Sequence, residues 1–237
     1  MKLSRVYKEI CLPLESVTSR TVVIAGGAVR DHLLGRKPRD YDVFVLTGKM
    51  GAASIQKLTK DVRNYILGQP SHTGVHFPAP TTKYGALPNT SPIAEFYFWG
   101  HKVQVMGSPV GDVAGLLNTF DYNICQLAYR DYKVVHHIWK VLAVIKSHGK
   151  LCVTHTTNPV LTLSRGYDFA RRYGMTLPDD VVKTLCAQIA GTVGPPTAAE
   201  ISLSEALKSS HLKAPPGGWF EYGSYDKLAA LILGGKL

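Results

Sequence analysis

The chain has 237 residues, 45% of them hydrophobic, and 27 Lys and Arg against 17 Asp and Glu give a formal net charge of +10. That balance excludes a disordered tail and a coiled coil, and the length suits one globular domain with a smaller addition. The positive surplus favours an anionic partner such as RNA, DNA or a nucleotide, because Lys and Arg displace counterions from phosphates. It is concentrated early: residues 1–145 carry a net +7 and residues 146–237 a net +3. The four cysteines, Cys11, Cys125, Cys152 and Cys186, are widely spaced and form no C-x-x-C pair, so they read as reduced, mostly buried thiols rather than a zinc or redox site. No window reaches the length of a membrane span and the N-terminus has no signal-peptide pattern, which predicts a cytoplasmic protein without membrane contact.

In chain order, the spacing predicts a short helix over residues 3–11 and a strand over Thr21–Ala25 that ends on Gly26-Gly27. The segment AVRDHLLG has Val29, Leu33 and Leu34 at helical spacing and stops at Gly35. A basic loop, RKPRD, leads into a second strand at Tyr41–Leu46, and residues 51–67 form an amphipathic helix. The following twenty or so residues show no periodicity and read as a long loop or insertion. IAEFYFW and KVQVM, separated by Gly100-His101, predict a hairpin, residues 109–118 a short helix, and FDYNICQLAYR with DYKVVHHI a second hairpin. After about residue 138 the pattern is mainly helical. The expected fold is α+β: a mixed sheet flanked by helices over residues 1–145 and a helical C-terminal part over 146–237, with CVTHT at 152–156 a last strand or a linker.

Chemistry concentrates in VVIAGGAVRDHLLGRKPRDYDVFVL, residues 22–46. A glycine pair between a strand and a helix presents backbone amides to an anion at close range, which suits a nucleoside triphosphate. Asp40 and Asp42 open the next strand two residues apart, so alternation puts both carboxylates on one face with Tyr41 on the other. Such a pair repels itself unless a cation lies between, and Mg²⁺ takes carboxylate and phosphate oxygens. The bland alternative for these aspartates is a turn-capping relic without a metal.

The run G26-G27-A-V-R30-D31-H-L-L-G35-R36-K-P-R-D40-Y-D42 resembles the G-G-x-V-R-D-x-L-L-G-R-x-x-x-D-x-D signature of the polymerase β-type nucleotidyltransferases, and within them the bacterial poly(A) polymerase and tRNA CCA-adding branch. The resemblance implies a five-stranded nucleotidyltransferase-type sheet, two Mg²⁺ ions held by Asp40 and Asp42, and an NTP bound at Gly26, Gly27, Arg30 and Asp31. FDYNICQLAY at 120–129 resembles the R-R-D-F-T-I-N-A-L segment and places Asp121 on its aspartate as a further catalytic candidate; Thr119-Phe120 replace its arginines and Cys125 its asparagine. Gln104 stands where many relatives carry another acid, leaving Glu95 and Asp121 as nearby candidates for a third carboxylate. LTLSRGYDFARRYGM at 161–175 resembles the family's arginine-rich helix, with Arg165 and Arg172 in register as nucleotide contacts. The positions that read the incoming base in CCA-adding enzymes fall on Asn158, Pro159 and Thr162, so C-then-A selectivity does not carry over. The size suits a compact nucleotidyltransferase of viral or plasmid type.

Each candidate has a competing structural role. Arg30 contacts a phosphate or pairs locally with Asp31; Asp121 is catalytic or a hydrogen-bond acceptor at a strand start. Arg36, Lys37 and Arg39 bind an RNA backbone or form an exposed basic turn. Arg165, Arg171 and Arg172 bind nucleotide or RNA or decorate a helix surface. His72 and His76 lie in a segment whose glycine and prolines argue against a helix, and read as loop residues rather than zinc ligands. Lys83 and Tyr84 touch phosphate or base, or are solvated. The expected function is Mg²⁺-dependent transfer of a nucleoside monophosphate from an NTP to a hydroxyl, with an RNA 3′ end such as that of tRNA as acceptor. The alternatives are a toxin-like transfer to a protein or small-molecule hydroxyl, and a non-catalytic nucleotide- or RNA-binding module.

Overall fold

The structure, a computed structural model, describes residues 1–78, 90–135 and 138–193. The first helix runs as α1 (Leu3–Val6), a π-helical turn at Tyr7–Cys11, and α2 (Leu12–Thr18). The hydrophobic spacing ends near Cys11, but the helix continues to Thr18. Pro13 has no amide to donate, and the widened turn just before it lets the helix pass the proline without breaking.

β1 (Val22–Ala25) is buried along its whole length and runs into α3 (Gly27–Leu33), which ends near Gly35 in the left-handed region at φ +67. β2 (Asp40–Leu46) and α4 (Ala52–Leu67) lie as the periodicity predicts. The patternless stretch contains a strand, β3 (His72–His76), which pairs antiparallel with β4 (Ser91–Phe98). Its short length and polar sequence gave no apolar alternation. His72 is nevertheless buried, its ring 4.2 Å from Phe96 and its Nδ1 3.2 Å from the Ile66 carbonyl, which makes it a core residue and not a metal ligand. Lys83 and Tyr84 fall outside the described residues.

β4 and β5 (His101–Ser108) form the expected hairpin, with the turn at Trp99-Gly100 and not Gly100-His101 because His101 already pairs with Phe98, and α5 (Val113–Leu117) follows. The second hairpin is shorter than expected: residues 123–125 form a 3₁₀ turn, and only β6 (Ala128–Arg130) and β7 (Lys133–Val135) pair. Then come α6 (Ile138–Lys146), α7 (Pro159–Tyr173) and α8 (Asp179–Val193). Val153 touches the sheet region through one isolated bridge to Tyr122.

The sheet has seven strands in the order β3-β4-β5-β2-β1-β6-β7, with only β2 and β5 parallel, so the expectation of five strands falls short by β3 and β7 or their equivalents at the edges. The α+β class with a mixed sheet and flanking helices holds. Helices α1 to α4 pack on one another and on the sheet, and Tyr41, wholly buried, faces them with its hydroxyl donating to the Met1 carbonyl. One apolar core joins the strands to Val141, Ile145, Leu151, Phe169, Tyr173 and Met175, while Leu163, Val182, Leu185, Cys186 and Ile189 form a second cluster between α7 and α8. Three cysteines are buried and Cys152 is exposed, all of them free.

Candidate active site

The site begins where β1 passes into α3. Gly26 adopts φ +77, ψ −132, a conformation open to glycine and costly for any other residue. Space enforces the same choice, since a Cβ there would lie 2.8 Å from Cε1 of Phe120. The Gly26 amide donates to the Leu127 carbonyl at 2.8 Å, so it is not among the amides offered to an anion. The first-turn amides of α3 that lack an intrahelical partner start at Gly27.

Asp40 and Asp42 share a face of β2, opposite Tyr41, as alternation requires. Sheet register adds what spacing could not. Asp42 lies beside Ala25 on β1 and Gln104 on β5, and Gln104 lies beside Glu95 on β4; Asp40 lies beside Lys102. Lys102 Nζ is 2.9 Å from Glu95 Oε2, and Gln104 Nε2 donates to Glu95 Oε1. Burial, then the charge of Asp40, pushes the Asp42 carboxyl well above the usual carboxylate range, with Arg165 and Lys102 pulling the other way. Two carboxylates on one face, with the charge of Asp40 raising the proton affinity of Asp42, suit a hard divalent cation. Among the described residues no group of three or more His, Cys, Asp or Glu is placed to hold a metal ion, and Asp40 and Asp42 are two carboxylates on one face. Mg²⁺ commonly binds that way, taking its other oxygens from water and phosphate, so Asp40 and Asp42 fit it.

The remaining candidates separate into two groups. Arg30 is buried in a clamp: its Nε lies 3.0 Å from Asp31 Oδ1, its Nη1 3.4 Å from Cys125 Sγ, and its guanidinium over the rings of Phe169 and Tyr173 at 5.0 and 4.6 Å. Asp31 also accepts from the Tyr173 hydroxyl. The geometry therefore gives Arg30 the local ion pair that its neighbour allowed. It also sets Asp31 between α3 and α7 rather than in the cleft. Arg36 donates to the Arg172 carbonyl at 2.9 Å and lies over Tyr173, so it closes the C-terminal end of α7.

Closer to the aspartates, Arg165 Nη1 is 2.9 Å from Asp121 Oδ2. Burial raises the Asp121 carboxyl above its usual range and Arg165 opposes the shift. Arg172 pairs with Asp168 at 3.0 Å. Burial lowers the Arg39 guanidinium while Asp40 and Asp42 act in the opposite direction, which puts Arg39 within the field of the pair. Lys37 is close enough to His101 to disfavour its charged form. Lys102 and Tyr173 were not singled out from the sequence. A turn at Gly100-His101 would set residue 102 opposite 99; the turn lies one residue earlier, which sets Lys102 opposite Tyr97 and Gln104 opposite Glu95. Nothing local marks Tyr173.

Comparison with solved structures shows the fold. A CCA-adding enzyme in complex with ATP matches with a TM-score of 0.57 at 16% identity, over 86% of this chain and 48% of that one. The Thermotoga maritima CCA-adding enzyme complexed with tRNA matches with a TM-score of 0.53 at 16% identity, over 88% and 54%. An apo form of a tRNA-processing enzyme matches with a TM-score of 0.52 at 21% identity, over 98% and 64%. The chain thus has a nucleotidyltransferase-like fold and spans less than two thirds of the length of these proteins. No curated protein matches it. A family model described as Gabija anti-defense 2 family protein matches residues 2–140, a stretch holding the glycine turn, both aspartates and the whole sheet. That is more than half of the sequence, and the chain belongs to the Gabija anti-defense 2 family.

Proposed function

We propose that this protein transfers a nucleoside monophosphate from an NTP to an acceptor hydroxyl and releases pyrophosphate. The observation that carries the reading is the placement of Asp40 and Asp42 together on β2, beside the glycine turn that opens α3. Asp40 and Asp42 hold Mg²⁺ and the amides from Gly27 onward receive the triphosphate. When bound, the metal lowers the pKa of the attacking hydroxyl and neutralises charge on the leaving pyrophosphate. The acceptor oxygen bonds to the α-phosphorus as the bond to the β-phosphate oxygen breaks, and the hydroxyl proton leaves to solvent. Arg39 lies within the field of the aspartate pair and adds positive charge near it. Arg165, fixed by Asp121, supplies positive charge toward Asp42. Arg30, clamped by Asp31 and Tyr173, sets the position of α3. Glu95, neutralised by Lys102, is the acidic group nearest in register to Asp42 on the β4 side.

For the acceptor, the net charge of +10 supports an RNA 3′ end, as do the tRNA-processing proteins that share the fold. A second reading rests on the family description: an anti-defence role also fits transfer to a protein hydroxyl in place of an RNA end. The test is incubation of the protein, and of Asp40→Ala/Asp42→Ala, with Mg²⁺, each α-labelled NTP, total RNA and a cell lysate, resolved on denaturing gels after ribonuclease or protease. Label that ribonuclease removes supports the RNA acceptor, and label that protease removes supports a protein. Absence of label with both, while NTP still binds, rejects the transferase in favour of a binding module.

A further inference from the structure

Away from the aspartate pair, a groove of about 630 Å³ follows the first helix and is lined by Lys2, Arg5, Lys8, Trp99, His101 and Tyr132, with Glu9 the acid among its lining residues. Lys2, Arg5 and Lys8 recur every three residues and so share a side of the helix, spread over about 9 Å of its length. Glu9 pairs with Arg5 at 2.9 Å, which leaves the lining positive. Burial lowers the His101 pKa, and neighbouring positive charge that includes Lys37 lowers it further, a sign of the potential along this rim.

The two aromatic residues make the groove more than a basic patch. Trp99 and Tyr132 each sit in the two-residue turn of a hairpin, Phe98 pairing with His101 across one and Arg130 with Lys133 across the other. Both turns have positive φ at both residues: 51 and 71 at Trp99-Gly100, 49 and 60 at Asp131-Tyr132. Turns of this type favour Asn-Gly or Asp-Gly, and a bulky aromatic there is strained. Each turn carries one suitable residue, Gly100 or Asp131, and one large ring in place of the other. Neither ring is repaid by burial, since Trp99 is 61% and Tyr132 53% exposed. Arg5 lies over the Trp99 ring at 4.1 Å, and Tyr7 meets Tyr132 edge-on at 5.4 Å, so both rings are held in place while remaining open to solvent. Aromatic faces bordering a line of cations match the chemistry of unpaired bases on a phosphate backbone.

We propose that this groove binds a single-stranded nucleic acid, with bases stacking on Trp99 and Tyr132 and phosphates meeting Lys2, Arg5 and Lys8. The site is distinct from the aspartate pair and does not depend on the transferase reading. Register brings its rim close to that pair, because His101 precedes Lys102, the neighbour of Asp40.

The test is fluorescence anisotropy with short labelled RNA and DNA oligonucleotides across a salt series, on the full chain. Trp99→Asn/Tyr132→Gly installs the residues these turns favour, so the hairpins keep or improve their fit while both rings disappear; affinity falls about tenfold or more. Arg5→Ala/Lys8→Ala weakens binding and flattens its salt dependence. Asp40→Ala/Asp42→Ala binds the strand as the unaltered protein does, even if it has lost all transfer activity. Unchanged affinity in the turn variant overturns the proposal, as does equal affinity for a duplex, whose bases are not free to stack. Displacement of the strand by a mononucleotide at similar concentration would mean a nucleotide pocket instead, and equal displacement by polyglutamate a surface for acidic protein. Loss of binding in the aspartate variant would place the strand in the catalytic cleft and refute the groove.

Discussion

Gly26 is where backbone geometry and packing impose separate costs, and substitution can separate them. In Gly26→Ala the backbone must hold φ +77 with a Cβ present, a strain of about 1–3 kcal/mol. The new methyl would also lie 2.8 Å from Cε1 of Phe120, whose buried ring packs edgewise on Phe44 at 5.9 Å and has little room to withdraw. Overpacking of this kind costs about 1–3 kcal/mol more. Gly35 provides the control, with φ +67 and no atom within 4 Å of an added Cβ. Gly35→Ala therefore carries strain alone, about 1 kcal/mol. The expected loss is about 2–6 kcal/mol for Gly26→Ala, measured by urea denaturation followed by circular dichroism. Phe120→Leu in the Gly26→Ala background recovers part of the clash, whereas in the unaltered protein it only removes buried surface. Equal costs at Gly26 and Gly35, or no recovery in the double variant, would refute the contribution of Phe120.

Three further outcomes concern Asp42 in the site and Tyr173 and His72 in the packing around it. Asp42→Asn lowers transfer on the order of a hundred- to a thousandfold, read by pyrophosphate release, while the metal-free protein unfolds at the same or higher urea because the like-charge contact with Asp40 has gone. Tyr173→Phe removes a hydrogen bond to the Asp31 carboxylate and costs about 1.5–3 kcal/mol, whereas Tyr97→Phe, on an exposed ring, changes stability little. His72 has a pKa lowered by burial, so the unfolded chain takes up its proton first. Its stabilising contribution is complete above about pH 6.5 and declines as pH falls through the folded value. The urea midpoint of the unaltered protein should fall more between pH 7 and pH 5 than that of His72→Leu; parallel curves would remove His72 from the explanation.

The β1–glycine turn–α3–β2 unit was legible because each of its signals is local: a β-branched run, a glycine pair, helical spacing closed by Gly35, and two aspartates two residues apart. Alternation along a single strand suffices to put Asp40 and Asp42 on one face. β3 escaped notice because pairing with β4, and not its own composition, makes it a strand.

What only the tertiary structure decided is the fate of the residues around that pair. Arg30 and Asp31 sit in the same motif as the aspartates, yet Tyr173 and Phe169, some 140 residues further on, draw them into the packing beneath α7. The Gly26 amide is taken by Leu127, and the surroundings of Asp42 are completed by Lys102 and Glu95 through the register of three strands. Trp99 and Tyr132 belong to different hairpins and border one groove only because the first helix lies between them. Sequence periodicity reports which face of its own element a residue occupies; which distant side chain meets it there depends on how the elements pack, and no local pattern encodes that.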